Sequence, residues 1–155
     1  MSDIRTISAS GIEAVTLDWL LQPAGTLAAG GDLETAALIA MLTDGLADPD
    51  ELLPEHGGDR RGWWADLDAQ DIWGAAPIGS RLWLLGREKA TEQVRARAEA
   101  YLRSAFKPFV DLQIATSIDV VAVRTATDRI EATVTIWRGP NDAIALRFQS
   151  LWDDR

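Results

Sequence analysis

The sequence predicts an α+β fold, in which a small and mainly antiparallel sheet packs against two or three helices. Two observations lead to this prediction. Apolar residues recur at three- and four-residue steps between Thr91 and Phe109, as on one face of a helix. After Ile118 the period changes to two, and three alternating runs are separated by short turns. The length of 155 residues suits a single domain over residues 14–155, preceded by a flexible segment over residues 1–13.

Two elements are predicted before residue 44. Ala14–Gln22 alternates apolar and polar residues in part, which predicts a strand that joins the sheet. Asp32–Thr43 is an apolar run rich in alanine and leucine, with Asp32 as a suitable N-cap and Gly45 as a C-terminal stop. This run predicts a helix that is buried nearly all round, and a buried strand is the alternative.

The segment Gly58–Lys89 follows an acidic loop and concentrates aromatic and charged side chains. It holds four of the seven tryptophans beside four arginines, and its end, Ser80–Glu88, is predicted to be a short helix. Because large aromatic side chains usually bury most of their area, we expect at least two of Trp63, Trp64 and Trp83 to fill the core. The alternative is that tryptophan and arginine anchor an interface here, since both are frequent in interface hot spots.

The C-terminal half is predicted as one helix and an antiparallel meander. Thr91–Phe109 is the helix, with Arg95, Glu99 and Arg103 on its solvent face. The three strands are predicted at Ile118–Arg124, Arg129–Arg138 and Ala143–Trp152. The last strand is a candidate edge that accepts a strand from another chain, and the alternative is that the N-terminal strand covers it.

Composition limits the classes of function. The net charge is −9, which argues against broad binding to nucleic acid or to an anionic membrane. There is no cysteine, so disulfides and thiolate metal sites are excluded. The longest apolar run, Ala36–Leu42, is too short to span a bilayer, and no targeting segment is visible, so we expect a soluble protein.

No catalytic, metal or cofactor site is predicted. The single histidine, His56, lies in the acidic loop without a neighbouring serine that would suggest a catalytic triad. Asp66, Asp68 and Asp71 are spaced like the start of a calcium loop, but the required glycine and glutamate are missing. These carboxylates are therefore expected to pair with arginines or to cap a turn. The glycines match neither common phosphate-binding pattern.

Three runs of residues together resemble the Mu-type phage and prophage baseplate protein family. They are R-R-G-W-W-A-D at Arg60–Asp66, G-S-R-L-W-L-L-G-R-E-K at Gly79–Lys89, and T-A-A-L-I-A-M-L-T-D at Thr35–Asp44. The resemblance extends from about Leu17 to Trp152. It implies a family signature with roles in folding and assembly, made up of Arg60, Arg61, Gly62, Trp63, Trp64, Asp66, Gly79, Ser80, Arg81, Trp83 and Leu84.

The resemblance also implies a function. Members look like the small wedge component of a contractile tail baseplate, similar to the T4-type wedge protein near the sheath. The resemblance implies a structural role and no enzymatic activity. The implied partners are other wedge proteins and the tail sheath. In isolation the chain is expected to be a monomer. The implied location is the virion tail, reached from the host cytoplasm during assembly. A tail-associated cell-wall hydrolase and a non-catalytic adaptor module are the alternatives.

Overall fold

The computed structural model describes residues 6–10, 15–19, 23, 31–54, 58–68, 77–139 and 142–148. Contacts between Cα atoms divide the chain into two compact units, Met1–Ile39 and Ala40–Arg155. The single domain expected from the sequence stays a prediction. Two α-helices and a three-stranded antiparallel sheet confirm the predicted α+β class.

The first unit contains a two-stranded antiparallel sheet. Strand β1 is Thr6–Ser10, and it pairs along its whole length with β2, Val15–Trp19. The strand predicted within Ala14–Gln22 is confirmed, but its placement in the C-terminal sheet is wrong, because its partner is β1. The sequence predicts no strand over β1, since a short run of threonine, serine and alanine gives only weak alternation.

Helix α1 is Asp32–Leu42, which confirms the helix predicted there. It begins directly after Gly31, whose φ is +74° and whose carbonyl accepts a hydrogen bond from the Thr35 amide at 2.8 Å. Asp32 therefore lies in the first turn and not at the capping position, where its charge still favours the helix dipole. The buried side chains of this helix are Leu33, Thr35, Ala37, Leu38, Ala40 and Met41.

Helix α2 is Glu92–Asp111, and it packs against strand β3 of the second unit. The Thr91 hydroxyl oxygen caps its first turn by accepting a hydrogen bond from the Val94 amide at 3.3 Å. The predicted apolar face is confirmed, with Val94, Ala98, Tyr101, Leu102, Phe106 and Phe109 all buried. Of the helices in the described ranges, none combines the length and apolar character needed to cross a membrane.

The sheet of the second unit is the predicted meander. Strands β3 (Ser117–Arg124), β4 (Ile130–Gly139) and β5 (Asp142–Phe148) are antiparallel and lie in the order β3-β4-β5. Alternate residues of β4 are fully buried, and they are those predicted to share one face: Ile130, Ala132, Val134 and Ile136. The last residues of the third predicted strand, 149–152, lie outside the described residues.

The free edge of β3 is covered by charged side chains of α2. Arg95 and Arg103 donate to the backbone carbonyls of Ala122 and Val120, each at 3.1 Å. Glu99 lies between them, where it accepts a hydrogen bond from Arg95 at 2.6 Å and forms an ion pair with Arg103 at 2.6 Å. Arg103 lies on the solvent face as predicted, with 58% of its side chain exposed. Arg95 and Glu99 are mostly covered instead, because their side chains reach over the strand edge. In this way α2 satisfies backbone groups that an edge strand leaves unpaired.

Candidate functional site

Two of the resembling segments meet at a short backbone bridge. Asp44 and Ser80 form a parallel β-bridge, in which the Gly45 amide donates to the Ser80 carbonyl at 2.8 Å. The Ser80 amide donates in return to the Thr43 carbonyl at 2.9 Å. Gly45, predicted as the stop of α1, therefore serves to join the end of that helix to the segment after Gly79.

The Ser80 side chain strengthens the same junction. It is buried, and its hydroxyl donates a hydrogen bond to the Met41 carbonyl at 2.6 Å. Met41 lies in the last turn of α1, where backbone carbonyls lack partners within the helix. Ser80 thus supplies a partner to the end of α1, which is a structural role and needs no catalytic explanation.

Trp83 and Arg61 hold the next part of the site. The Trp83 indole Nε1 donates to the Gly45 carbonyl at 2.8 Å, and the Arg61 guanidinium lies 4.8 Å from the centre of the Trp83 ring. Arg61 also pairs with the carboxylate of Asp44. One arginine therefore links the tryptophan face to the acidic segment by stacking and by charge.

Arg81 connects the site to α2. Its guanidinium pairs with Asp48 and Glu51 and lies 5.1 Å from the centre of the Tyr101 ring. Burial disfavours the charged form, but the hydrogen bonds and negative charges of Asp48 and Glu51 outweigh it and raise the pKa of Arg81. The short helix predicted at Ser80–Glu88 is found as a 3₁₀ turn over Leu82–Leu85, with Leu84 and Leu85 buried.

Arg60 and Asp66 fix the segment that contains the paired tryptophans. Two hydrogen bonds join Arg60 to Ala47. The Arg60 Nη2 donates to the Ala47 carbonyl oxygen at 3.4 Å, and the Ala47 amide donates to the Arg60 carbonyl. Both carboxylate oxygens of Asp66 lie 3.1 Å from the Ile78 amide, which donates to them. Asp66 therefore binds a backbone amide twelve residues further along the chain, which differs from the local turn cap suggested by the sequence. Asp71 and His56 lie outside the described residues.

The paired tryptophans are exposed, so the prediction that at least two of the three fill the core is wrong. Trp64 is 78% exposed and Trp63 is 38% exposed, with their ring centres 5.7 Å apart. Aliphatic residues fill the core of the second unit instead, together with Tyr101, Phe106 and Phe109. Trp83 is half-buried. Trp73 lies outside the described residues.

Two leucines extend this exposed group. Leu46 is 60% exposed and Leu67 is 87% exposed. Leu46 lies against the turn that precedes the tryptophans, because a Cβ on Gly62 would come 3.3 Å from its Cβ. Gly62 has a φ of +104°, a conformation that suits glycine. We call the side chains of Leu46, Trp63, Trp64 and Leu67 the aromatic surface.

Sequence reasoning missed the residues that face the signature from the acidic segment. Asp44, Gly45, Asp48 and Glu51 provide acceptors for the signature arginines and for Trp83. A local signal existed, since carboxylates are dense before Arg60 and Arg61, but their pairing partners are not fixed by spacing. Within the described residues, no group of three or more histidine and acidic side chains could hold a metal ion.

Comparison with known proteins gives two matches. A family model described as phage protein GP46 matches residues 33–143, which is more than half of the chain. Baseplate protein gp46 of Escherichia phage Mu is 44% identical over 75 residues. That alignment covers 48% of this chain and 48% of the Mu protein, so the match spans about half the length of this relative.

Proposed function

The chain belongs to the family of phage protein GP46, and from this premise we propose that it is a structural component of a phage tail baseplate. The Mu relative is named as a baseplate protein, which supports this role. In finer detail, the proposal is a wedge component of a contractile tail that acts through contacts with other wedge proteins and with the sheath. It is assembled in the host cytoplasm and ends in the virion tail.

An assembly role is favoured by the exposed pair Trp63 and Trp64, because the surrounding segments are held in place by arginine contacts within the chain. Arg60, Arg61 and Arg81 all bond to acceptors within the chain, so their charges hold these segments together. Trp63 and Trp64, which follow Arg60 and Arg61 in the chain, remain exposed. Exposed aromatic groups of this kind are frequent at protein contacts.

The sheet supports a second contact. The β3 edge is occupied by Arg95 and Arg103, whereas β5, within the described ranges, pairs with β4 alone. A strand from the sheath or from another baseplate subunit is proposed to pair with β5, as in other cases of strand addition.

The proposal is tested by expressing the tagged chain together with the products of the surrounding tail genes. Stable copurification with identified tail proteins, and its presence in purified particles by immunogold electron microscopy, are the expected results. Recovery of the folded chain alone, and its absence from particles, would contradict the proposal. Clearing of peptidoglycan by the purified chain would favour the tail-associated hydrolase.

A further inference from the structure

We infer that the aromatic surface binds a different protein, whose contact region presents an apolar pocket surrounded by lysine and arginine. This inference rests on the proposed function and names the chemistry of one partner. It follows from the exposure, charge and backbone contacts of residues 44–54 and 58–68.

The four side chains of the surface lie on two chain segments that are bonded to each other. The Ala47 amide donates to the Arg60 carbonyl at 3.2 Å, which places Leu46 beside the turn at Gly62. Trp63 and Trp64 follow this turn, and a 3₁₀ turn over Trp64–Asp66 leads to Leu67. Leu46, Trp63 and Trp64 therefore lie around the turn at Gly62, and Leu67 follows them along the chain.

The surroundings of this patch are acidic. Of the seven carboxylates among the described residues between 44 and 68, Asp44 pairs with Arg61, and Asp48 and Glu51 pair with Arg81. The exposed carboxylates of Asp50, Asp59 and Asp68 outnumber the remaining arginine of these segments, Arg60. An interface is most favourable when opposite potentials meet, so the partner's rim should be basic.

A second copy of this chain fits poorly as the occupant. In a two-fold symmetric contact each patch faces its own equivalent, and the carboxylates of both copies would approach one another. Like charges placed together across an interface oppose association. The charge therefore favours a heterologous partner.

The backbone supports binding without large rearrangement. Gly62 and Asp66 lie on either side of the tryptophans in the chain. Gly62 adopts a conformation that suits glycine, and Asp66 is held by two contacts to the Ile78 amide. A surface that is ordered before binding loses less conformational entropy on association. Trp64 is the expected anchor because it is the most exposed tryptophan of the described residues.

The test measures the affinity of the intact chain for each purified protein of the same tail gene cluster, by isothermal titration calorimetry at low and high salt. We expect one basic tail protein to bind, and Trp64→Ala to weaken that binding by about tenfold or more. Asp68→Lys should weaken it several-fold at low salt, with a smaller effect at high salt. The matched control is Leu112→Ala, an exposed leucine at the end of α2 that should bind like the wild type.

The outcomes separate this inference from the proposed function. If a tail protein binds the wild type and both variants equally well, the inference is overturned and the baseplate role stands. If the only complex is a self-association that Trp64→Ala abolishes, the heterologous partner is likewise overturned. If no tail protein binds the wild type, both proposals fail. Circular dichroism confirms that each variant is folded, and Trp64→Phe replaces Trp64→Ala if it is not.

Discussion

Gly79 lies so close to Gly45 that Gly79 has no room for a side chain and Gly45 has little. A Cβ on Gly79 would come within 2.7 Å of the Gly45 amide nitrogen and within 2.7 Å of the Thr43 carbonyl oxygen. The φ of Gly79 is +114°, which side-chain-bearing residues rarely adopt. Two segments far apart in the sequence are thus held in register by two glycines.

We predict that Gly79→Ala destabilises the second unit strongly. Backbone strain and steric overlap together should lower the free energy of unfolding by about 3 kcal/mol or more. The measurement is urea unfolding followed by circular dichroism. Gly139→Ala is the control, because a Cβ there meets nothing within 4 Å. Equal urea midpoints of unfolding for the two variants would contradict the close contact between Gly79 and Gly45.

Ser80→Ala should remove the partner of the Met41 carbonyl. The bond is buried and 2.6 Å long, so we expect the free energy of unfolding to fall by about 2 kcal/mol. Ser104→Ala, at an exposed position of α2, should change the same free energy by less than about 0.5 kcal/mol. Thermal unfolding of the two variants compares them directly. Similar melting temperatures would argue against a stabilising role for the Ser80 hydroxyl.

Trp83→Phe should keep an aromatic face beneath Arg61 but lose the indole N–H. We expect a loss of about 1 kcal/mol in the free energy of unfolding, since the Gly45 carbonyl loses its donor. Trp64→Phe is the matched control and should have little effect on stability, because Trp64 is largely exposed. A larger loss for Trp64→Phe than for Trp83→Phe would reverse the roles assigned to the two residues.

Glu99 should make stability sensitive to acid. Desolvation by burial opposes its ionisation, but the hydrogen bond from Arg95, the charge of Arg103 and the Ala122 amide outweigh this and lower the pKa of Glu99. The contribution is complete above the ordinary pKa of 4.5 and is lost as the pH falls through the lower pKa of the folded state.

Glu99→Gln should therefore lower the free energy of unfolding at neutral pH by about 1 kcal/mol. It should also flatten the decline in stability as the pH falls from neutral to below 4.5. The measurement is urea unfolding across that pH range. The control is Glu92→Gln, since Glu92 is an exposed partner of Arg95 and lies one helical turn before it. This variant should leave the decline of stability with falling pH nearly unchanged. An unaltered acid dependence in Glu99→Gln would refute the assignment.

Local periodicity was enough to predict α2 and strands β3 to β5, and α2 and β4 each bury the apolar face that sets their period. Helix α1 was predicted from its alanine and leucine content and its flanking residues, since its apolar residues lie nearly all round. Strand β1 was missed because Thr6–Ser10 offers little apolar contrast between its two faces. The partner of β2 could not be predicted either, since alternation identifies a strand but not its neighbour.

The role of the signature residues stays a prediction, and the sequence did not predict the acceptors that face them, Asp44, Asp48 and Glu51. The signature residues were singled out by composition and resemblance, yet the burial of Trp63 and Trp64 was predicted wrongly. Their exposure follows from the turn at Gly62 and from the Asp66 contact to Ile78, which are tertiary features. The close approach of Gly45 and Gly79 also depends on distant backbone segments, which a local pattern does not encode.

The covered edge of β3 limits how strands can be added to this sheet. With the carbonyls of Val120 and Ala122 already bonded to Arg103 and Arg95, the described part of the sheet leaves the outer edge of β5 for a further strand. If β5 pairs with another chain as proposed, the sheet gains a strand on one side only. It would then end a series of strand-paired subunits and would not extend it.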